Sequence, residues 1–137
     1  YKKLVVKLKI ADTVIFTGKV PWDEVPYYYA LADIFTTASH PETQGLTVIE
    51  ENAFEKCSSL KTLFLPSTLQ SIKNMAFEDI GKLEVIYKGT KEDFDKINIE
   101  ENNDELLNAK IYFYSETEPT EEGNFWHYSK NNTPTPW

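Results

Sequence analysis

The sequence predicts an α/β chain in two parts: a partial doubly wound strand–helix–strand unit joined to a short solenoid. Two observations predict it. Val14-Ile15-Phe16-Thr17 and Asp33–Ser39 are short, largely apolar runs on either side of a helical stretch. That is the order of half a doubly wound sheet, whose strands are buried on both faces. Further on, Leu46, Ile49, Ala53, Phe54, Cys57, Leu60 and Leu63 return 23 positions later as Leu69, Ile72, Ala76, Phe77, Ile80, Leu83 and Ile86. A fixed period in the twenties marks units that cannot bury an apolar face alone and stack on their neighbours.

A chain of 137 residues, 41% hydrophobic and 14% aromatic, is long enough to bury a real core. It begins at Tyr1, which points to a piece of a longer protein. The net charge of −8, from 22 acidic and 14 basic residues, argues against a nucleic-acid partner, which needs clustered Lys and Arg. No run approaches the roughly 20 apolar residues of a membrane helix, so no membrane span is expected. Cys57 is the sole cysteine. It excludes an internal disulfide, and its apolar repeat position predicts a buried thiol. His40 and His127 have no partner at metal-ligand spacing, so no metal site is expected. No Ser/His/Asp set, Cys/His pair or Gly-rich phosphate loop appears, and no catalytic residue is assigned.

In chain order, Leu4, Val5 and Leu8 among Lys2, Lys3, Lys7 and Lys9 read as the end of an amphipathic helix, broken at Asp12-Thr13. Val14–Thr17 is the first strand. Gly18–Pro21 turns the chain into a helix running from Trp22 to Ala32, with Pro26 tolerable only in its first turn. Asp33–Ser39 is the second strand. Glu42-Thr-Gln-Gly-Leu-Thr-Val-Ile-Glu50 then closes the unit with a glutamate at each end. Over about residues 1–50 this pattern resembles the donor-binding core of retaining family-4 glycosyltransferases, which have the two-domain GT-B fold. The resemblance implies that Glu50 holds the ribose diol of a nucleotide and that Glu42 approaches the donor sugar hydroxyls. Backbone amides near Gly45 and Leu46 would face the diphosphate at a helix N-terminus. It implies no metal. The family also uses an upstream Gly-rich segment with a basic pair and an acceptor domain, and this sequence has neither. After Glu50 the chain continues with Glu51–Cys57 where the family has small residues and a Gly-Pro-Val-type turn.

From Leu46 onward the repeat takes over. LTVIEENAFEKCSSLKTLFLP and LQSIKNMAFEDIGKLEVIYKG are similar to the units of BspA-like leucine-rich repeat proteins of bacterial surfaces, over about residues 46–137. Each unit implies a short strand at its Leu and Ile, a turn of helix at Ala-Phe, and a second strand such as Leu60–Leu65. Thr90 caps a helix over Lys91–Ile97, with Asp93 three residues on as in a capping box. A helical turn at Glu105–Asn108 and a strand over Ala109–Tyr114 complete a non-repeating βαβ cap for residues 90–114. Ser115–Asn124 is acidic and without apolar residues, the composition of a linker. The tail that follows offers Trp126, Tyr128 and Trp137 either as packing over the last strand or as a contact surface for sugar or peptide.

The domain reading is therefore residues 1–50, a partial donor-binding unit; 46–114, a repeat module with its cap; and 115–137, an acidic then aromatic tail. Leu46–Glu50 belongs to both patterns. The sequence predicts helix over most of Thr43–Phe54, from which Glu50 would project. The function expected is a non-enzymatic repeat module for contact with an unidentified protein or glycan, with no cofactor. The alternative is a family-4 glycosyltransferase fragment with a partial nucleotide-sugar site at Glu42, Gly45, Leu46 and Glu50. The first reading places the chain at the cell surface or outside the cell, and the second places it in the cytoplasm.

Overall fold

The computed structural model describes residues 2–21, 24–36, 46–131 and 133–137. Helices α1 (Lys2–Lys7) and α2 (Val25–Ala30) precede strands β1 (Ile34–Phe35), β2 (Val48–Ile49), β3 (Thr62–Leu65), β4 (Ser71–Ile72) and β5 (Glu84–Tyr87). Then come α3 (Lys91–Phe94), β6 (Asn98–Ile99), α4 (Asp104–Leu107), β7 (Lys110–Tyr114), β8 (Phe125–Tyr128) and β9 (Pro134–Pro136). The strands form two sheets, one in the order β1-β3-β5-β7-β8-β9 and one in the order β2-β4-β6. Every pairing is parallel except β8 with β9. Three successive turns give one strand to each sheet, β2 with β3, β4 with β5 and β6 with β7, which is how a solenoid buries its repeating apolar positions.

Between the sheets lies one core. Ile49, Phe54, Cys57, Leu60, Leu63, Leu65, Leu69, Ile72, Ala76, Phe77, Ile80 and Leu83 are all buried. The aromatic members stack along the solenoid axis. Phe54 lies on Phe77 with centroids 5.1 Å apart and planes 8° from parallel. Tyr29 stacks on the other face of Phe54 at 4.9 Å, and Phe35 meets Phe54 edge-on at 4.8 Å. Such pairs contribute about 0.5–1.5 kcal/mol beyond the area they bury. At the C-terminal side Asn103, also buried, takes over from apolar residues. Its side-chain Nδ2 donates to the carbonyls of Lys73, Glu100 and Glu101, and its Oδ1 accepts from the Phe77 N–H at 3.1 Å.

Several sequence expectations change. Val14–Thr17 forms no strand: β1 has β3 as its one neighbour in the larger sheet, so no adjacent strand receives the segment. Among the described residues the second strand is Ile34–Phe35, which pairs with Thr62–Leu63 and so joins the repeat's own sheet. Trp22, Asp23 and Thr37–Gly45 lie outside the described residues, and the helix expected from Trp22 is Val25–Ala30. The helix expected over Thr43–Phe54 is overturned where it can be seen. Val48–Ile49 is extended and pairs with Ser71–Ile72, and turns follow, with Asn52 and Lys56 at φ 59°. β-branched Val48 and Ile49 suit that strand, and the left-handed residues break a helix.

The register is also corrected. Leu63 pairs with Val85, not Ile86, because the second unit has one residue fewer between its Leu and its strand. A one-residue slip reverses the faces, so Val85 and Tyr87 are buried while Ile86 lies half-buried on the outer face. Residues 90–114, expected as a non-repeating cap, extend both ladders: β6 pairs with β4 and β7 with β5. This turn is longer, with Ile72 matched to Ile99, and the extra chain holds α3. Thr90 caps α3 as expected, its Oγ1 accepting from the Asp93 N–H at 3.2 Å, but the helix stops at Phe94.

Two substitutions test this packing. Phe77→Ala removes the ring that stacks on Phe54, and is expected to cost about 3–5 kcal/mol in urea unfolding. An unchanged midpoint would mean that the column does not hold the units together. Tyr87 is fully buried, yet its hydroxyl has no hydrogen-bond partner among the described residues. Its ring lies so close to Gly89 that a Cβ there would fall 2.5 Å from it. An unpaired buried hydroxyl costs about 1–3 kcal/mol, so Tyr87→Phe should leave the urea midpoint unchanged or raise it. A lowered midpoint would reveal a partner for the hydroxyl.

Candidate functional site

The residues assigned to donor binding divide. Glu42 and Gly45 lie outside the described residues. Leu46 and Glu50 flank β2, Leu46 packed against the core and Glu50 exposed. Neither is on a helix, so the described residues provide no helix N-terminus at Leu46. Glu50 instead belongs to a charge row across the turns of the smaller sheet. Glu50, Lys73 and Glu100 follow the three paired strands β2, β4 and β6. Lys73 Nζ donates to Glu100 Oε1 at 2.7 Å, and the Asn74 N–H donates to Glu100 Oε2 at 3.1 Å. The Glu100 hydrogen bond, then the Glu100 and Glu50 charges, push the Lys73 ammonium pKa up. The Lys73 hydrogen bond above all holds the Glu100 carboxyl below its ordinary range.

The outer face of the larger sheet has a different character. Strand alternation turns Thr62, Glu84 and Lys110 outward in one row, and Phe64, Ile86 and Tyr112 in the next. The second row is half-buried and apolar. Lys110 Nζ lies 4.6 Å from the Tyr112 ring centroid. Where this face meets the tail, Glu84, Ile86, Tyr112, Trp126, Pro134 and Pro136 bound a small cavity of about 110 Å³. Trp126 is 3% exposed and its Nε1 donates to the Tyr87 carbonyl at 2.8 Å. It packs as structure. Tyr128 and Trp137 are 42% and 46% exposed, and Trp137 stacks on His127 at 3.9 Å. The tail is thus a strand pair continuing the sheet, and Tyr128 and Trp137 are its accessible rings.

The comparisons with known proteins follow these two patterns. A family model described as BspA type Leucine rich repeat region (6 copies) matches residues 27–125. The chain belongs to the BspA-type leucine-rich repeat family. The match begins within α2, which carries Tyr29 of the aromatic stack. The chain is also 52% identical over 46 residues to alpha-monoglucosyldiacylglycerol synthase of Streptococcus pneumoniae (strain ATCC BAA-255 / R6), a match covering 34% of this chain and 10% of the synthase. No solved structure matches the chain.

Within the BspA-type repeat, sequence reasoning missed Asn103, Tyr29, Phe35 and the Lys73–Glu100 pair. Asn103, within Asn102-Asn103-Asp104, carries no apolar signal. Its buried role becomes visible once the longer third turn aligns it with Ala76. Among the described residues no group of three or more His, Cys, Asp or Glu is placed to hold a metal. No described helix is long and apolar enough to cross a membrane. Burial pushes the Cys57 thiol pKa up, which keeps it protonated and unreactive.

The charge row predicts a pH dependence. A carboxyl whose folded pKa is depressed contributes stability above its unfolded value, about 4.3 for Glu, and loses it as pH falls through the lower folded value. Glu100→Gln removes that contribution. The variant's urea midpoint should therefore fall less steeply than the wild type's as pH drops below about 4.3. Parallel acid limbs would show that the Lys73–Glu100 contact adds nothing.

Proposed function

We propose that the chain is a non-enzymatic leucine-rich repeat module that presents the outer face of its larger sheet to a protein or glycan partner. The observation that carries this reading is the fate of Leu46–Glu50. Where the two sequence patterns compete, the segment is a repeat strand paired with β4, and Glu50 stands in a row of turn charges. The half-exposed Phe64–Ile86–Tyr112 row, with Tyr128 at one end, supplies apolar and aromatic surface that can stack on sugar rings or anchor a peptide. Residues 46–114 are the module in this reading, 115–137 its edge, and a cell-surface or secreted setting suits it.

The alternative is a fragment of a family-4 glycosyltransferase, in which residues 1–50 derive from the doubly wound donor domain of a GT-B enzyme. The partial match to the pneumococcal synthase favours it. In this reading Glu42, Gly45, Leu46 and Glu50 would hold a nucleotide-sugar donor, and the shared LTVIE would be the point at which two coding sequences joined. The diphosphate would meet a chain of net charge −8.

Calorimetric titration with UDP-, GDP- and ADP-sugars separates the readings. No dissociation constant below about 100 μM, or about −5.5 kcal/mol, is expected. Tighter binding that weakens in both Glu42→Gln and Glu50→Gln would overturn the module reading in favour of the donor site.

A further inference from the structure

The two sheets begin at different levels of the solenoid. The larger sheet has β1 ahead of β3, whereas the smaller sheet starts at β2, in the same turn as β3. Beside β2 lies a cavity of about 370 Å³ bounded by Val25, Tyr29, Phe35, Leu46, Val48 and Phe54, with Glu50 and Glu51 exposed at its rim. One side of β2 is occupied: Thr47 O accepts from the Gln70 and Ser71 N–H groups, and Ile49 O accepts from Lys73 N–H. The backbone groups of a parallel strand alternate in direction, so the Val48 groups and the Glu50 N–H face the cavity, while Glu50 O accepts from the Ala53 N–H. One turn on, Asn74 O and Ala76 O accept from the Asn52 and Phe54 N–H groups. The corresponding carbonyls of Glu51 and Ala53 accept from no backbone N–H among the described residues. Among the described residues the cavity is therefore an apolar slot with an open strand edge along one wall, the arrangement that receives an added strand.

The same chain carries a strand without a sheet. Val14-Ile15-Phe16-Thr17 consists entirely of strand-favouring residues, yet it belongs to no strand, with Ile15 88% exposed and Phe16 45% exposed. It ends in Gly18-Lys19, and its basic end complements the Glu50 and Glu51 rim. In this structure the segment does not occupy its own molecule's slot.

We propose that Val14–Thr17 of one copy of the chain adds as a strand to the open edge of β2 in a second copy. Val14 and Phe16 project to one side and Ile15 and Thr17 to the other, so one pair faces the apolar slot while the backbone pairs with the Val48 groups and the Glu50 N–H. The association needs neither a sugar nor a third partner, and it stands independently of the proposed contact function.

Sedimentation velocity on the full chain from about 1 μM to about 100 μM, the range of weak strand addition, is the test. The sedimentation coefficient should rise with concentration. Ile15→Asp places a carboxylate on the added strand beside Glu50 and Glu51, and should weaken association at least about 10-fold, or about 1.4 kcal/mol. Ile15 lies in no helix or strand, so the variant should keep the wild-type melting curve. A labelled peptide of residues 12–19 should bind Ile15→Asp saturably by fluorescence anisotropy. In wild type, amide exchange should slow with concentration at both Val14–Thr17 and Val48–Glu50. A wild type that stays monomeric throughout, an Ile15→Asp variant that associates as the wild type does, or association without slowed exchange at both segments would each overturn the proposal.

Discussion

Everything in this fold depends on the contact between Phe54 and Phe77. The two rings occupy the same position in successive turns and lie nearly parallel, at a separation that matches the roughly 4.8 Å between paired strands. The strands then fall into register on either side. Val48–Ile49 lies against Ser71–Ile72, and Thr62–Leu65 lies against Glu84–Tyr87. Tyr29 extends the stack by one ring, although it comes from a segment that does not follow the repeat spacing. That stack, with the β1–β3 pairing, binds residues 25–36 to the solenoid.

The opposite end of the column is finished differently. Where a further aromatic would leave the last turn hungry for another neighbour, Asn103 satisfies four backbone groups at once. A buried amide is tolerable when its donors and acceptor all find partners, and here they do. Trp126 then ties the final strand pair to the Tyr87 carbonyl, so the larger sheet ends in an antiparallel β8–β9 edge.

Much of this was legible in the sequence. The 23-residue period located the core positions from Ile49 to Leu83, the thiol of Cys57 among them, because a solenoid's core positions repeat with its turns. The period misplaced Ile86 because a one-residue deletion is invisible to apolar spacing when both Val85 and Ile86 are apolar. Val14–Thr17 reads as a strand by propensity, but a strand needs a neighbour, and a neighbour is not a local property. At Val48–Ile49 local signals were balanced, and pairing with β4 decided the conformation. The glutamates at 42 and 50 carried a resemblance that spacing alone could express. Which face Glu50 shares with Lys73 and Glu100 depended on pairing that the spacing does not contain.

The left-handed residues bear on how the chain reaches this structure. Asn52 and Met75, then Lys56 and Asp79, hold φ between 57° and 59° at matching places in successive turns, and Asn102 does so again in the third. None is a glycine, so each bend costs free energy against the conformations the free chain prefers, most at Lys56 and Met75 and least at Asn52, Asp79 and Asn102. A solitary turn bears that cost with no neighbouring turn to bond to. Its bends are stabilised only when Asn52, Phe54 and Lys56 can donate their N–H groups to the carbonyls of the turn beside them. Folding then starts from a nucleus of two adjacent turns and grows outward from it, and a half-wound repeat has no lifetime of its own.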